Sequence, residues 1–170
     1  MNQKRKSSAS VVALGGVLAA LAVVIMSLGG LIPVATYISP MLCAIVLQVV
    51  LLQCGVRIAW AWYGAVAILA VLLSADKEAA AVFVFLGYYP IVKPRLDETR
   101  LAWLWKGLLF NGSIGVMYVL LLRLFGMGEL GEEFEEFGLV MLLVLLLMGN
   151  VTFFLLDKLL GMKKFRRKVF

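Results

Sequence analysis

The chain has no histidine and only two cysteines, and charged residues fill just 15% of its 170 positions. Without imidazole, the commonest acid–base group and zinc ligand are missing, so His-dependent catalysis and His-ligated metal sites are excluded. Cys43 and Cys54 sit eleven residues apart in one uncharged run. On a helix that spacing puts them roughly 16 Å apart along the axis, too far for a disulfide. They read as small apolar residues. The scarcity of charge excludes most. Soluble domains carry about 25% charged residues; this chain is instead 64% hydrophobic, with a mean hydropathy of +1.03. A water-soluble fold of this size cannot hide that much apolar surface. Lipid is the natural solvent, which disfavours a soluble enzyme, a nucleic-acid-binding domain and a disordered chain.

Long uncharged runs are what the sequence has in place of charge. Residues 7–56 carry no charged side chain, too long for one span and suited to two, with Gly29, Gly30, Pro33 and Pro40 marking the break. Further uncharged runs cover 58–75, 79–92, 107–122 and 137–156. The expectation is an all-α polytopic bundle, one transmembrane domain over 1–170, with spans at about 9–28, 40–55, 58–75, 78–93, 106–124 and 138–157. Residues 1–8 and 161–170 are its basic tails. Lys4-Arg5-Lys6 before an apolar stretch opens like a signal peptide, but the stretch is long and no A-x-A site follows, so it is read as the first span. With the N-terminus inside, every Lys and Arg except Lys77 and Arg123 falls on the inner side. That asymmetry is the positive-inside pattern of a plasma-membrane protein with both termini cytoplasmic. Six spans leave few residues for anything else, so energy or chemistry is expected from other chains.

Several features punctuate the spans. Ala9, Ala13, Gly16 and Ala20 form a small-residue stripe on the first helix. It suits close helix packing, within this bundle or against a partner membrane protein. Leu31–Pro40 is an uncharged apolar link, read as a lid over the outer mouth or as an interfacial linker. Asp76-Lys77-Glu78 is read as a solvated turn or as the mouth of a pocket. Gln48, Gln53, Tyr88, Tyr89, Asn111 and Asn150 place the uncharged polar groups in the inner half. Asn111 lies five residues from Lys106 and Asn150 seven from Asp157, so the two amides are expected at one depth as an interhelical pair, as structural glue or part of a polar pathway. Asp157 beside Lys158 reads as a membrane-edge charge pair. Segment 126–138, with five glutamates, reads as a solvated loop or an acidic rim.

On the inner side, Pro94–Lys106 mixes Trp103 and Trp105 with Arg95 and Arg100 and reads as interfacial. The Lys163–Lys168 cluster is expected to meet anionic lipid headgroups, and no nucleic acid is needed to explain it. No phosphate loop, paired intramembrane carboxylate or nucleophile–base set is present, so no enzyme activity, metal or cofactor is expected.

In size, six-span layout and the Ala9-x-x-x-Ala13 spacing continuing to Gly16 and Ala20, the chain resembles the substrate-binding S components of energy-coupling-factor vitamin transporters. That resemblance implies a transmembrane coupling subunit docking on the small residues, and ATPases behind it. It also implies a ligand site in the outer half under external loops, where Tyr37, Asp76, Lys77, Glu78 and Tyr118 are the candidates here. The layout is also similar to the rod-shape MreD family, which implies a non-transporting scaffold of envelope or cell-shape machinery.

Overall fold

The computed structural model describes residues 8–29, 35–124 and 128–162. They form seven α-helices: α1 (Ser8–Gly29), α2 (Ala35–Cys54), α3 (Val56–Leu73), α4 (Lys77–Leu86), α5 (Tyr89–Asp97), α6 (Ala102–Leu124) and α7 (Gly128–Gly161). No strand occurs among the described residues. Three stretches, Ala9–Gly29, Thr36–Cys54 and Val56–Leu73, are long and apolar enough to cross a bilayer. The chain is an all-α membrane protein. The apolar residues of these three stretches are spread around each helix rather than along one stripe, as expected where one side meets protein and the other lipid.

α2 is the central helix and packs against α1, α3, α4, α5 and α7. Its two faces serve different cores. Cys43, Leu47 and Val50 join α1 and α3 in one apolar cluster. Ala44, with Met41 and Ile45, joins α6 and α7 in a second. α4 is divided in the same way, with Phe83 facing the first cluster and Val82 and Leu86 facing the second. A few polar ties set the register of the first half. Trp62 Nε1 donates to the Gly15 carbonyl at 3.1 Å, and Tyr63 donates to the Val84 carbonyl. Ser74 Oγ sits between the carbonyls of Met26 and Asp76, at 3.2 and 3.0 Å.

Four sequence expectations are corrected. The link Leu31–Pro40 is shorter than it reads, because Ala35–Pro40 already belong to α2, with Pro40 inside the helix. Residues 31–34 lie outside the described residues. Pro40 lacks an N–H, so it gives nothing to the carbonyl of Thr36, and the helix continues because packing overrides that loss. The span drawn at 78–93 is two helices rather than one. Pro90 offers no N–H to Leu86, so the ladder stops at Leu86 and restarts at Tyr89 through a turn at Gly87–Tyr88. Trp60 stacks on Tyr88 (centroids 6.2 Å apart) and Tyr63 meets it edge-on (5.9 Å), bracing that turn. Third, the acidic segment is helical rather than a loop from Gly128 onward, as the first turns of α7; Gly126 lies outside the described residues. α7 has 34 residues, about 51 Å of helix. The fourth correction concerns Asp157 and belongs with the sites.

Candidate functional site

Three helices meet at one end of the second core. α4 starts there because Asp76 caps it: Oδ1 accepts from Ala79 N at 2.9 Å. Its other oxygen accepts from Thr36 Oγ1 of α2 at 2.8 Å. Glu78 lies in the first turn of α4, where the helix dipole favours a carboxylate. Tyr118 of α6 donates to Glu78 Oε1 at 2.5 Å. That uses its one proton, so in the 2.9 Å contact between the two hydroxyls Tyr37 of α2 is the donor. Tyr37 OH also lies 3.4 Å from Glu78 Oε1. Of the five residues expected at an outer ligand site, the structure therefore brings Tyr37, Glu78 and Tyr118 into one cluster, with Asp76 tied to its edge through Thr36. Lys77 is not part of it. Its exposed ammonium donates to the Val71 carbonyl at 2.9 Å.

Beneath this cluster runs a narrow cleft between the α2/α4 wall and the α6/α7 pair. Tyr37, Met41, Leu86, Phe110, Phe153 and Leu156 are among its lining residues, and its free volume is about 40 Å³. Gly149 lets α7 approach here, since a Cβ at that position would lie 3.1 Å from the Phe110 ring. Phe110 stacks on Phe153 (4.7 Å), which meets Tyr89 edge-on (4.7 Å). The space has room for ordered water and, as it stands, none for a drug-sized ligand.

Midway down, Asn111 and Asn150 exchange amide hydrogen bonds at 3.3 and 3.1 Å. Each also donates to the carbonyl one turn back in its own helix, so both N–H groups of both amides are used.

The opposite end holds a group that the sequence reading missed. Asp157 of α7 is paired with Lys93 of α5 and with Lys106 of α6, the latter at 3.0 Å. This overturns its reading as a partner of Lys158, which joins none of the ion pairs among the described residues. Lys106 also binds Asp97 at 2.5 Å, Lys93 reaches Asp97 at 3.5 Å, and Tyr89 donates to Asp157 at 2.5 Å. Lys93 is only 7% exposed. Two ammonium groups and two carboxylates thus balance in a partly buried clamp joining α5, α6 and α7. A signal for it existed. If the amides share a depth, Lys106 lies about 7.5 Å and Asp157 about 10.5 Å below them, nearly level.

The stripe Ala9, Ala13, Gly16 and Ala20 is exposed along its whole length. It takes no part in packing α1 onto α2 and α3, which instead uses Ala22 and Met26. Lys163–Lys168 lie outside the described residues. Comparison with known protein families, curated proteins and solved structures gives no match.

Proposed function

We propose that this chain is the substrate-binding subunit of a small-molecule uptake transporter in the plasma membrane, energised by separate subunits. In this reading it crosses the bilayer six times, with α4 and α5 together making the fourth crossing and both ends of the sequence cytoplasmic. The gathering of Lys and Arg at one end of alternate helices supports that threading. The observation that carries the functional reading is an apolar cleft lined by Tyr37, whose hydroxyl also joins Glu78 and Tyr118 in one polar cluster. Small-molecule sites run to about 300–1,000 Å³, so a cleft of about 40 Å³ is the closed arrangement. Loading requires α6 and α7 to draw away from α2 and α4. The carboxylate and the two hydroxyls then face the polar end of a ligand, and the cleft takes its apolar body. The uncovered stripe on α1 supports docking of a transmembrane coupling subunit, with ATPases behind it.

A thermal-shift screen of the purified protein against vitamins and nucleobases tests this reading. A ligand that binds only the folded state raises the midpoint in proportion to its saturation. Loss of that shift in Glu78→Gln would place the ligand at the cluster; a panel with no shift would sink the proposal. The second reading, a membrane scaffold without a ligand, is favoured by one observation: the polar groups of the outer cluster already satisfy one another. Crosslinking from Ala13 or Ala20 separates the two, since a scaffold captures envelope-assembly proteins and a transport subunit captures a coupling protein.

A further inference from the structure

Residues 93–106 carry four basic and two acidic side chains, and the fold sorts the basic ones by residue type. Lys93 and Lys106 turn inward and take up Asp97 and Asp157. Arg57, Arg95, Arg100 and Lys158 remain exposed at the same end of the bundle, and none of them is in an ion pair among the described residues. Against these four basic groups, Glu98 is the exposed acid outside the clamp. The clamp is neutral in itself and leaves the remaining basic groups, three of them guanidiniums, exposed beside Glu98.

Apolar surface stands at the same level. Leu101, Trp103, Leu104 and Trp105 are all exposed, Trp103 at 77%. Successive helical positions are about 100° apart, so these residues spread over roughly 200° around the start of α6, opposite the inward-turned Lys106. That is a broad, convex apolar surface rather than one narrow stripe. Indole rings interleaved with arginines match the headgroup layer of a bilayer, where aromatic side chains collect and phosphates lie close by. A guanidinium binds a phosphate through two parallel N–H groups, which an ammonium cannot do.

We infer that this end of the bundle is a docking face for anionic phospholipid headgroups, with Arg57, Arg95 and Arg100 binding phosphate and Trp103 and Trp105 set at headgroup depth. The inference rests on the chain being a membrane protein and is independent of whether it binds a transported ligand.

The test uses the full chain in neutral detergent, with phosphatidylglycerol or phosphatidylcholine added, reading retained lipid by native mass spectrometry and the unfolding midpoint. Phosphatidylglycerol should be retained and raise the midpoint, phosphatidylcholine should do neither, and added salt should shrink the difference. R57Q/R95Q/R100Q should lose at least about tenfold in phosphatidylglycerol retention, given the size of single basic contributions at a membrane surface. Those side chains are exposed, so the variant keeps its helical circular dichroism. Lys106→Gln should lower the midpoint equally in both lipids and keep the preference. Equal retention of the two lipids overturns the inference, as does a triple variant that keeps its preference. Loss of preference only on neutralising Lys163, Lys164, Arg166, Arg167 and Lys168 assigns the binding to the tail and overturns it too. No transport ligand enters the assay, so a failed ligand screen and a failed lipid test are separate results.

Discussion

Tyr118 of α6 and Glu78 of α4 lie 2.5 Å apart, hydroxyl to carboxylate, beside Tyr37, which lines the apolar cleft. That contact ties α6 to α4 at one end of the second core.

Removing the hydroxyl with Tyr118→Phe leaves Glu78 short of a donor in a partly buried setting. We expect a loss of about 1–3 kcal/mol in unfolding free energy. Glu78→Gln should cost less, since an amide oxygen still accepts. The two changes should be non-additive by about 0.5–3 kcal/mol in a double-mutant cycle measured in one detergent. Strict additivity would mean that the contact is not made in the folded protein.

Asp157 and Lys158 are neighbours in sequence with very different predicted sensitivities. Asp157→Ala leaves two ammonium groups, one of them nearly buried, to share Asp97, and should destabilise by about 1–3 kcal/mol. Lys158→Ala, at an exposed position outside the clamp, should stay within about 0.5 kcal/mol. Chemical denaturation of both variants checks the contrast, and similar values would restore the sequence reading of an Asp157–Lys158 pair.

The amide pair makes a narrower prediction. Asn111→Ala and Asn150→Ala should each weaken the α6–α7 association, with a coupling of about 0.6–2 kcal/mol between them. A cycle with no coupling would leave each amide bonded only to its own helix.

Gly87 and Gly112 should respond oppositely to alanine. At Gly87 an added Cβ falls against the Phe83 carbonyl and 2.7 Å from its ring, whereas at Gly112 it meets open space. Gly87→Ala should therefore cost about 1–3 kcal/mol through overpacking. Gly112→Ala, in the middle of α6, should be neutral or stabilise by up to about 1 kcal/mol. Thermal unfolding of the two single variants decides it.

The legible part of this protein is what composition and depth control. Uncharged runs announce long apolar helices, because lipid forces every backbone polar group into intrahelical bonds. Depth counting from the nearest charge sets Asn111 level with Asn150, and the structure joins them. Tyr37, Glu78 and Tyr118 come from three separate helices, and the structure places them together. Lys77 could not be told from its neighbours, because successive residues at a helix start point in different directions. The break at Pro90 was hidden because the residues on both sides are apolar and the turn stays near-helical in its dihedrals. The clamp was hidden for another reason. Charge near a span end reads as solvated, and only three-dimensional placement shows Lys93 and Lys106 turning inward.

The divided faces of α2 and α4 have a wider consequence. A partition shared by two rooms lets one be rebuilt while the other keeps its shape. Trp62 and Ser74 fasten α3 to α1 and Tyr63 fastens α3 to α4 on one side of that partition, whereas α6 and α7 pack on the other side around the cleft. A substitution in the α6–α7 core should therefore leave the packing of α1 on α3, and with it the exposed Ala9–Ala20 surface, unchanged.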